Sequence, residues 1–251
     1  MEPIFEALLA LALMVLGAAF GVLLRRRLPD DHLDTHAKDV VRLGAALVAT
    51  ITALVLGLLV NSSFGFFETQ RSDVRRVAAD LILLDTILDN YGPPAIETRR
   101  MLRQSTDLFI KQVWHDDMTP FDYMPLGTKA HALFDSIANL PSTTPLERAL
   151  HDQAIATAIR IAQARLDLYE RSRAHLPQAM LYVLMFWLTA LFASFTLFSP
   201  LNPTSIAALI LVALCAAAAL LLILEMERPF TGLMQVPPKA LVTALPPLPS
   251  R

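Results

Sequence analysis

The sequence predicts an all-α integral membrane protein, and three observations carry that prediction. Four runs, residues 4–24, 43–67, 179–198 and 205–224, hold almost no charge, with Glu6 the one charged residue in any of them. Each is about as long as the ~20 residues a helix needs to cross a hydrocarbon core. The chain is 55% hydrophobic and 18% charged, and most of the charge lies between the second and third runs. No segment has the two-residue alternation of a strand. A bilayer protein of this kind transports, conducts, senses or scaffolds. A net charge of −2 gives nucleic acid no purchase.

The first run is expected to stay in the protein as a span. Met1-Glu2-Pro3 carries no positive charge, the apolar stretch is longer than a signal-peptide core, and Arg25-Arg26-Arg27 stands where a cleavage site would be. Residues 25–42 read as a short polar loop, with Pro29 stopping the helix before it. The second run passes Glu68 without a Gly-Pro break, which predicts one long helix leaving the bilayer. From there Val74, Val77, Leu81, Leu84, Leu88 and Tyr91 follow a 3-4-3-4-3 spacing, a heptad-type seam. Asn90-Tyr91-Gly92-Pro93-Pro94 ends it, with a left-handed cap expected at Gly92.

An amphipathic helix is expected over residues 95–114, with Met101, Leu102, Ser105, Leu108, Phe109 and Val113 toward one side. Residues 116–125, with Pro120 and Pro125, read as a loop, and residues 126–140 as a short helix. Thr144-Pro145-Leu146-Glu147 is a capping box with Pro at the first helical position. The helix it opens carries Ile155, Ile159, Ala162, Leu166 and Tyr169 at 4-3-4-3 spacing and reaches about His175, before Pro177. Residues 199–204 form an uncharged turn between the last two spans. The tail holds Pro229, Pro237, Pro238, Pro246, Pro247 and Pro249 and reads as extended or disordered. The resulting plan is a first span pair at 1–67, a helical domain at 68–177, a second span pair at 178–228 and a tail at 229–251. The helical domain has 13 Lys/Arg against 15 Asp/Glu, a balanced and well-solvated surface.

Four spans put both termini and the helical domain on one side. Arg71, Arg75, Arg76, Arg160, Arg165, Arg171, Arg173, Arg228, Lys239 and Arg251 flank that side, against Arg25, Arg26, Arg27, Lys38 and Arg42 on the other. The larger total favours a cytoplasmic domain, although Arg25–Arg27 abuts its span and pulls the other way.

Few residues look reactive. His32 and His36 are an i, i+4 pair of the kind metal sites use, but the Glu of the metalloprotease pattern is absent from His32-Leu33-Asp34-Thr35-His36; a solvated, Asp-rich loop is the plainer reading. His115-Asp116-Asp117 reads as a helix end. Asp80, Asp85 and Asp89 are expected in salt bridges with Arg75, Arg76, Arg99 or Arg103. Cys215 reads as a core residue of its span. With no nucleophile signature and no Gly-rich phosphate loop, neither catalysis, metal nor cofactor is expected.

The second span is unusual in carrying Thr50, Thr52, Gly57, Asn61, Ser62 and Ser63. Polar residues in a span turn to other helices or to water rather than to lipid. Thr50, Leu54 and Leu58 recur every four residues on one face, with Gly57 and Asn61 beside them. Around a symmetry axis that face would give one polar and two apolar rings, and narrow apolar rings gate by dewetting. Ordinary bundle packing, with Gly57 admitting a close neighbour, accounts for the same pattern.

Leu56-Gly57-Leu58, Asn61-Ser62-Ser63 and Phe67-Glu68-Thr69-Gln70-Arg71 resemble the pore-helix stretch of bestrophins. Glu225-Met226-Glu227-Arg228-Pro229-Phe230-Thr231-Gly232 resembles their segment of acidic residues followed by Pro-Phe-Gly. Residues 78–85, Tyr91-Gly92, Phe186-Trp187-Leu188 and residues 192–195 are similar to the bacterial bestrophin-like family, a membrane family of unknown function, and the likeness spans most of the chain. The resemblance implies a homo-oligomer, a pentamer by preference, that passes small anions across a bacterial inner membrane. It implies a neck at Thr50, Leu54 and Leu58, a polar lining from Gly57, Asn61, Ser62 and Ser63, and a cytoplasmic mouth at Glu68 and Arg71, where Arg71 would raise local anion concentration. Glu225, Glu227, Pro229 and Phe230 form its tail motif. The aromatic neck of many bestrophins is missing, Thr231 is inserted before Gly232, and Leu233-Met234-Gln235-Val236 replaces the acidic run that clasps calcium in animal members, so calcium activation is not expected. A non-conducting scaffold that binds a cytoplasmic partner through the surfaces around 80–91 and 155–169 is the other reading of the same chain.

Overall fold

The computed structural model describes residues 3–27, 35–114, 128–172, 178–198 and 202–245. His32, the 116–125 loop, the His115-Asp116-Asp117 cluster, Pro177, residues 199–201 and the last prolines of the tail lie outside the described residues. The elements are α1 (Pro3–Arg27), α2 (Thr35–Tyr91), a 3₁₀ turn (Pro93–Ala95), α3 (Ile96–Val113), α4 (Thr128–Ala138), α5 (Pro145–Ser172), α6 (Gln178–Phe198), α7 (Pro203–Met226) and the short α8 (Lys239–Val242). No strand occurs among the described residues. The fold is all-α, and α1, α2, α6 and α7 are each long and apolar enough to cross a membrane.

The chain divides into two compact units. The first takes residues Met1–Phe67 and His175–Glu227, the second Glu68–Ala174 and Arg228–Arg251. Both ends of the polar loop expected at 25–42 are helical. Arg25, Arg26 and Arg27 form the last turn of α1, where cations suit the negative end of the helix dipole. Helix α2 is already under way at Thr35, because Lys38 and Arg42 are good helix formers and nothing from Thr35 to Arg42 breaks a helix.

In the first unit α1 lies tightly on α6. A Cβ placed on Gly17 would stand 2.5 Å from the Thr189 carbonyl oxygen, and one on Gly21 would fall closer still to the Ala193 carbonyl oxygen and the Thr196 hydroxyl. The four-residue spacing of these glycines lets two backbones approach, as small residues do between membrane helices. Thr196 Oγ1 donates to the Ala18 carbonyl oxygen at 2.8 Å across the same contact. Met14, Leu184, Leu188, Phe192, Leu220 and Ile223 fill the core beside it.

In the second unit the seam Val74–Val77–Leu81–Leu84–Leu88–Tyr91 is buried along its whole length, as its spacing predicts. Gly92 follows at φ 85°, ψ −150°. Its φ is positive, but its ψ lies outside the left-handed helical region expected of a cap, in territory open only to glycine. The buried face of α3 is Thr98, Leu102, Ser105, Thr106 and Phe109, so Leu108 stands outside the face assigned to it. On α5 the buried line is Ala154, Thr157, Ile161, Ala164 and Leu168, while Ile159 and Leu166 are each 43% exposed. The expected α5 seam is therefore displaced onto a line that mixes the small Ala154, Thr157 and Ala164 with Ile161 and Leu168.

The capping box forms as read. Glu147 N–H donates to Thr144 Oγ1 at 3.1 Å, and Thr144 N–H donates to Glu147 Oε2 at 2.9 Å. The Thr144 amide, followed by the Thr143 hydroxyl, holds the Glu147 carboxyl below its usual range. The tail differs from the sequence expectation. Residues 229–245 are folded, with Pro229, Val236, Leu241 and Ala244 buried. Trp114 anchors them: its ring meets Phe230 edge-on at 5.1 Å, and its Nε1–H donates to the Val236 carbonyl oxygen at 2.7 Å.

Candidate functional site

The candidate site lies on the apolar half of α2. Two threonine hydroxyls there are satisfied by the helix's own backbone, as an apolar medium favours: Thr50 Oγ1 donates to the Ala46 carbonyl oxygen at 2.9 Å and Thr52 Oγ1 to that of Val48 at 2.7 Å. Thr50, Leu54, Gly57, Leu58, Asn61 and Ser62 are all exposed in the single chain, Leu54 at 69% and Leu58 at 62%. A Cβ on Gly57 would meet nothing within 4 Å. No packing within the described residues explains this glycine.

Ser63 does not join that face. It is 2% exposed, on the buried side of α2 with Thr52 and Leu59, and its hydroxyl has no hydrogen-bond partner among the described residues. The spacing of a lone i+1, i+2 triplet could not separate Ser63 from Asn61 and Ser62; a 100° helical turn per residue does.

In the second unit Glu68 and Arg71 pair at 3.4 Å, both half-exposed. The acidic residues of α2 recruit arginines from other helices. Asp85 accepts from Arg99 Nε at 2.9 Å and from Arg103 at 2.9 Å, and Asp89 pairs with Arg99. Asp80 pairs with Arg160 of α5 at 3.3 Å, and Asp73 with Arg171 at 3.1 Å. Arg99 and Arg103 are partners the spacing had offered to Asp85 and Asp89. Arg75 and Arg76 are not, and neither has a carboxylate partner among the described residues. Burial pushes the Asp85 carboxyl up, but the hydrogen bonds and charges of Arg99 and Arg103 outweigh it and hold the group below the ordinary 3.8. Burial, helped by the charge of Glu147, pushes the Tyr91 phenol up; its hydroxyl donates to the Pro141 carbonyl oxygen.

The tail motif is divided between the units. Glu225 is buried in the first, at the end of α7, with Glu227 following it. Pro229 and Phe230 belong to the second, against Trp114. Among the described residues no three His, Cys, Asp or Glu side chains are grouped to hold a metal.

Two features went unread in the sequence. Gly17-x₃-Gly21 was visible as a small-residue pair but competes for notice with an apolar run that is already a span. Trp114 as an anchor of the tail is a contact across 122 residues, for which no local pattern exists.

A family model described as Bestrophin-like domain matches residues 9–241 of the chain. No curated protein and no solved structure matches it.

Proposed function

The chain belongs to the bestrophin-like family, and from that membership we propose that it is an oligomeric, anion-permeable membrane channel whose α2 helices line the pore. The observation that carries this reading is the exposed face of α2. Its apolar stretch is 11% buried, against 22–33% for the other three spans, yet it holds Asn61 and Ser62 on the uncovered side. Lipid is a poor solvent for an amide and a hydroxyl, so such residues turn to neighbouring subunits or to water. Thr50, Leu54 and Leu58 form the neck in this reading. Asn61 and Ser62 offer donors to a partly dehydrated anion, and Gly57 leaves room beside them. Ser63, buried within the protomer, is left out of the lining. Glu68 and Arg71 mark the mouth, five subunits close the ring, and the second unit faces the cytoplasm of a bacterial inner membrane.

The test is halide flux into sealed liposomes that carry the purified protein, beside a Leu54→Ala/Leu58→Ala variant. Widening two apolar rings is expected to raise flux severalfold. Equal flux through both proteins would remove the neck from α2. A second reading has its own support: the uncovered Ile159 and Leu166 on α5 suit a soluble partner of a non-conducting scaffold. It requires a stoichiometric partner that co-purifies with the chain and is lost when Ile159 and Leu166 are both changed to Ser.

A further inference from the structure

We infer that Arg75 and Arg76, rather than Arg71, form the station that concentrates small inorganic anions beside α2; this rests on the channel reading and names the residues that feed it. From Glu68 to Tyr91, α2 carries five carboxylates and three guanidinium groups, which by composition alone would repel anions. The ion pairs reverse that sign. Glu68 is taken by Arg71, Asp73 by Arg171, Asp80 by Arg160, Asp85 by Arg99 and Arg103, and Asp89 by Arg99. Four of those five arginines come from α3 and α5. Every carboxylate on this stretch is thus neutralised, mostly by charge supplied from elsewhere, and α2's own Arg75 and Arg76 stay exposed with no carboxylate partner among the described residues.

Their chemistry selects the ligand class. Adjacent helical residues diverge by about 100°, so the two guanidinium groups leave the helix in different directions and are not held together as a phosphate clamp. They instead charge a broad sector of the helix surface, which raises the local concentration of small anions such as halides without a fixed binding geometry. The pair stands eight and nine residues past Phe67 on one helix, about 12–14 Å along its axis. Both arginines thus follow the end of the apolar run by little more than two helical turns. Arg71 is closer to that end, but Glu68 cancels its charge.

The experiment reads the local potential without relying on conduction. Full-length protein carrying Cys215→Ser and Arg76→Cys is reconstituted, and its modification rates by an anionic and a cationic methanethiosulfonate reagent are compared, with Arg75 present and with Arg75→Gln. At low salt the anionic reagent is expected to react roughly tenfold faster. The ratio should fall toward one in Arg75→Gln, and also at 1 M salt, where the Debye length shrinks to about 3 Å. A ratio near one with Arg75 present, or a cysteine that neither reagent reaches, overturns the station. Halide flux through Arg75→Gln/Arg76→Gln is the companion measurement. It should drop severalfold, with a smaller change for Arg71→Gln; unchanged flux in a conducting protein overturns the role. Absence of flux in the unmodified protein refutes the channel reading, and the reagent ratio then decides the station by itself.

Discussion

Helix α2 lives two lives on either side of Phe67. Beyond it, Leu81, Leu84 and Leu88 are sealed from solvent by α2's partners in the second unit; before it, Leu54 and Leu58 are more than half exposed. The residue type is the same, and so is the helix. What differs is whether the chain supplies its own cover. The half after Glu68 has a heptad-type seam and arginines brought to its acids, so it carries stability. The half before Phe67 is left with an uncovered face holding a threonine, leucines, a glycine, an asparagine and a serine, which frees it for a neighbour or for water. Glycines draw the same line within the first unit. Gly17 and Gly21 are pressed against α6, while Gly44, Gly57 and Gly65 of α2 would accept a Cβ without meeting anything within 4 Å.

The comparison breaks most readily at Asp85, where the largest effect is expected. Its side chain is 11% exposed and holds both Arg99 and Arg103. Asp85→Ala takes their shared, buried carboxylate away from Arg99, which keeps the exposed Asp89, and from Arg103; it should cost about 3 kcal/mol, read from denaturant unfolding in detergent. The pH dependence follows from the depressed carboxyl. A group whose folded value lies below its unfolded one stabilises the fold above the unfolded value and loses that contribution as pH falls through the folded one. The gap between wild type and Asp85→Ala should therefore be full at neutral pH and narrow below about pH 4. A constant gap down to strong acid would assign the loss to packing instead of charge.

Leu84→Ala comes next. It empties a fully buried site on the seam and should cost about 2–5 kcal/mol, by the same unfolding measurement. Gly21→Ala follows at about 1–3 kcal/mol, because the new methyl would press on a backbone carbonyl that cannot swing away. Gly57→Ala is its control and should leave the protomer's thermal midpoint unchanged or slightly raised, since alanine favours a helix by about 1 kcal/mol over glycine. If the two glycine variants lost equal stability, the contrast between α1 and α2 would be gone.

The seam of α2 was legible because large apolar residues at heptad spacing and the buried face coincide there. On α5 they part company. The heptad reading picks Ile155, Ile159 and Leu166, whereas the packing picks Ala154, Thr157, Ile161, Ala164 and Leu168, a line in which three of five members are small. Small buried residues leave almost no hydropathy signal, and the same holds for Gly17 and Gly21. The tail misled for another reason. Its prolines speak of an extended chain, but Phe230 and Val236 hold it to Trp114, a partner more than a hundred residues away. The four spans and the capping box were readable because each rests on local composition. The exposure of Thr50, Leu54, Leu58 and Asn61, and the separation of Ser63 from them, needed the helix to be seen with its neighbours in place.

The smallest stability effect belongs to the residues with the largest proposed functional one. Leu54→Ala/Leu58→Ala removes apolar surface that the protomer leaves open, so no cavity forms and no packed contact is lost. Its unfolding free energy should stay within about 0.5 kcal/mol of wild type, the range of substitutions away from packed features, while flux changes severalfold. Stability and flux moving in opposite proportion to Leu84→Ala is what the division of α2 requires. A loss of 2 kcal/mol or more in the double variant would mean that another subunit packs those leucines, in which case they serve assembly and the opening of the pore must be sought on another face of the helix.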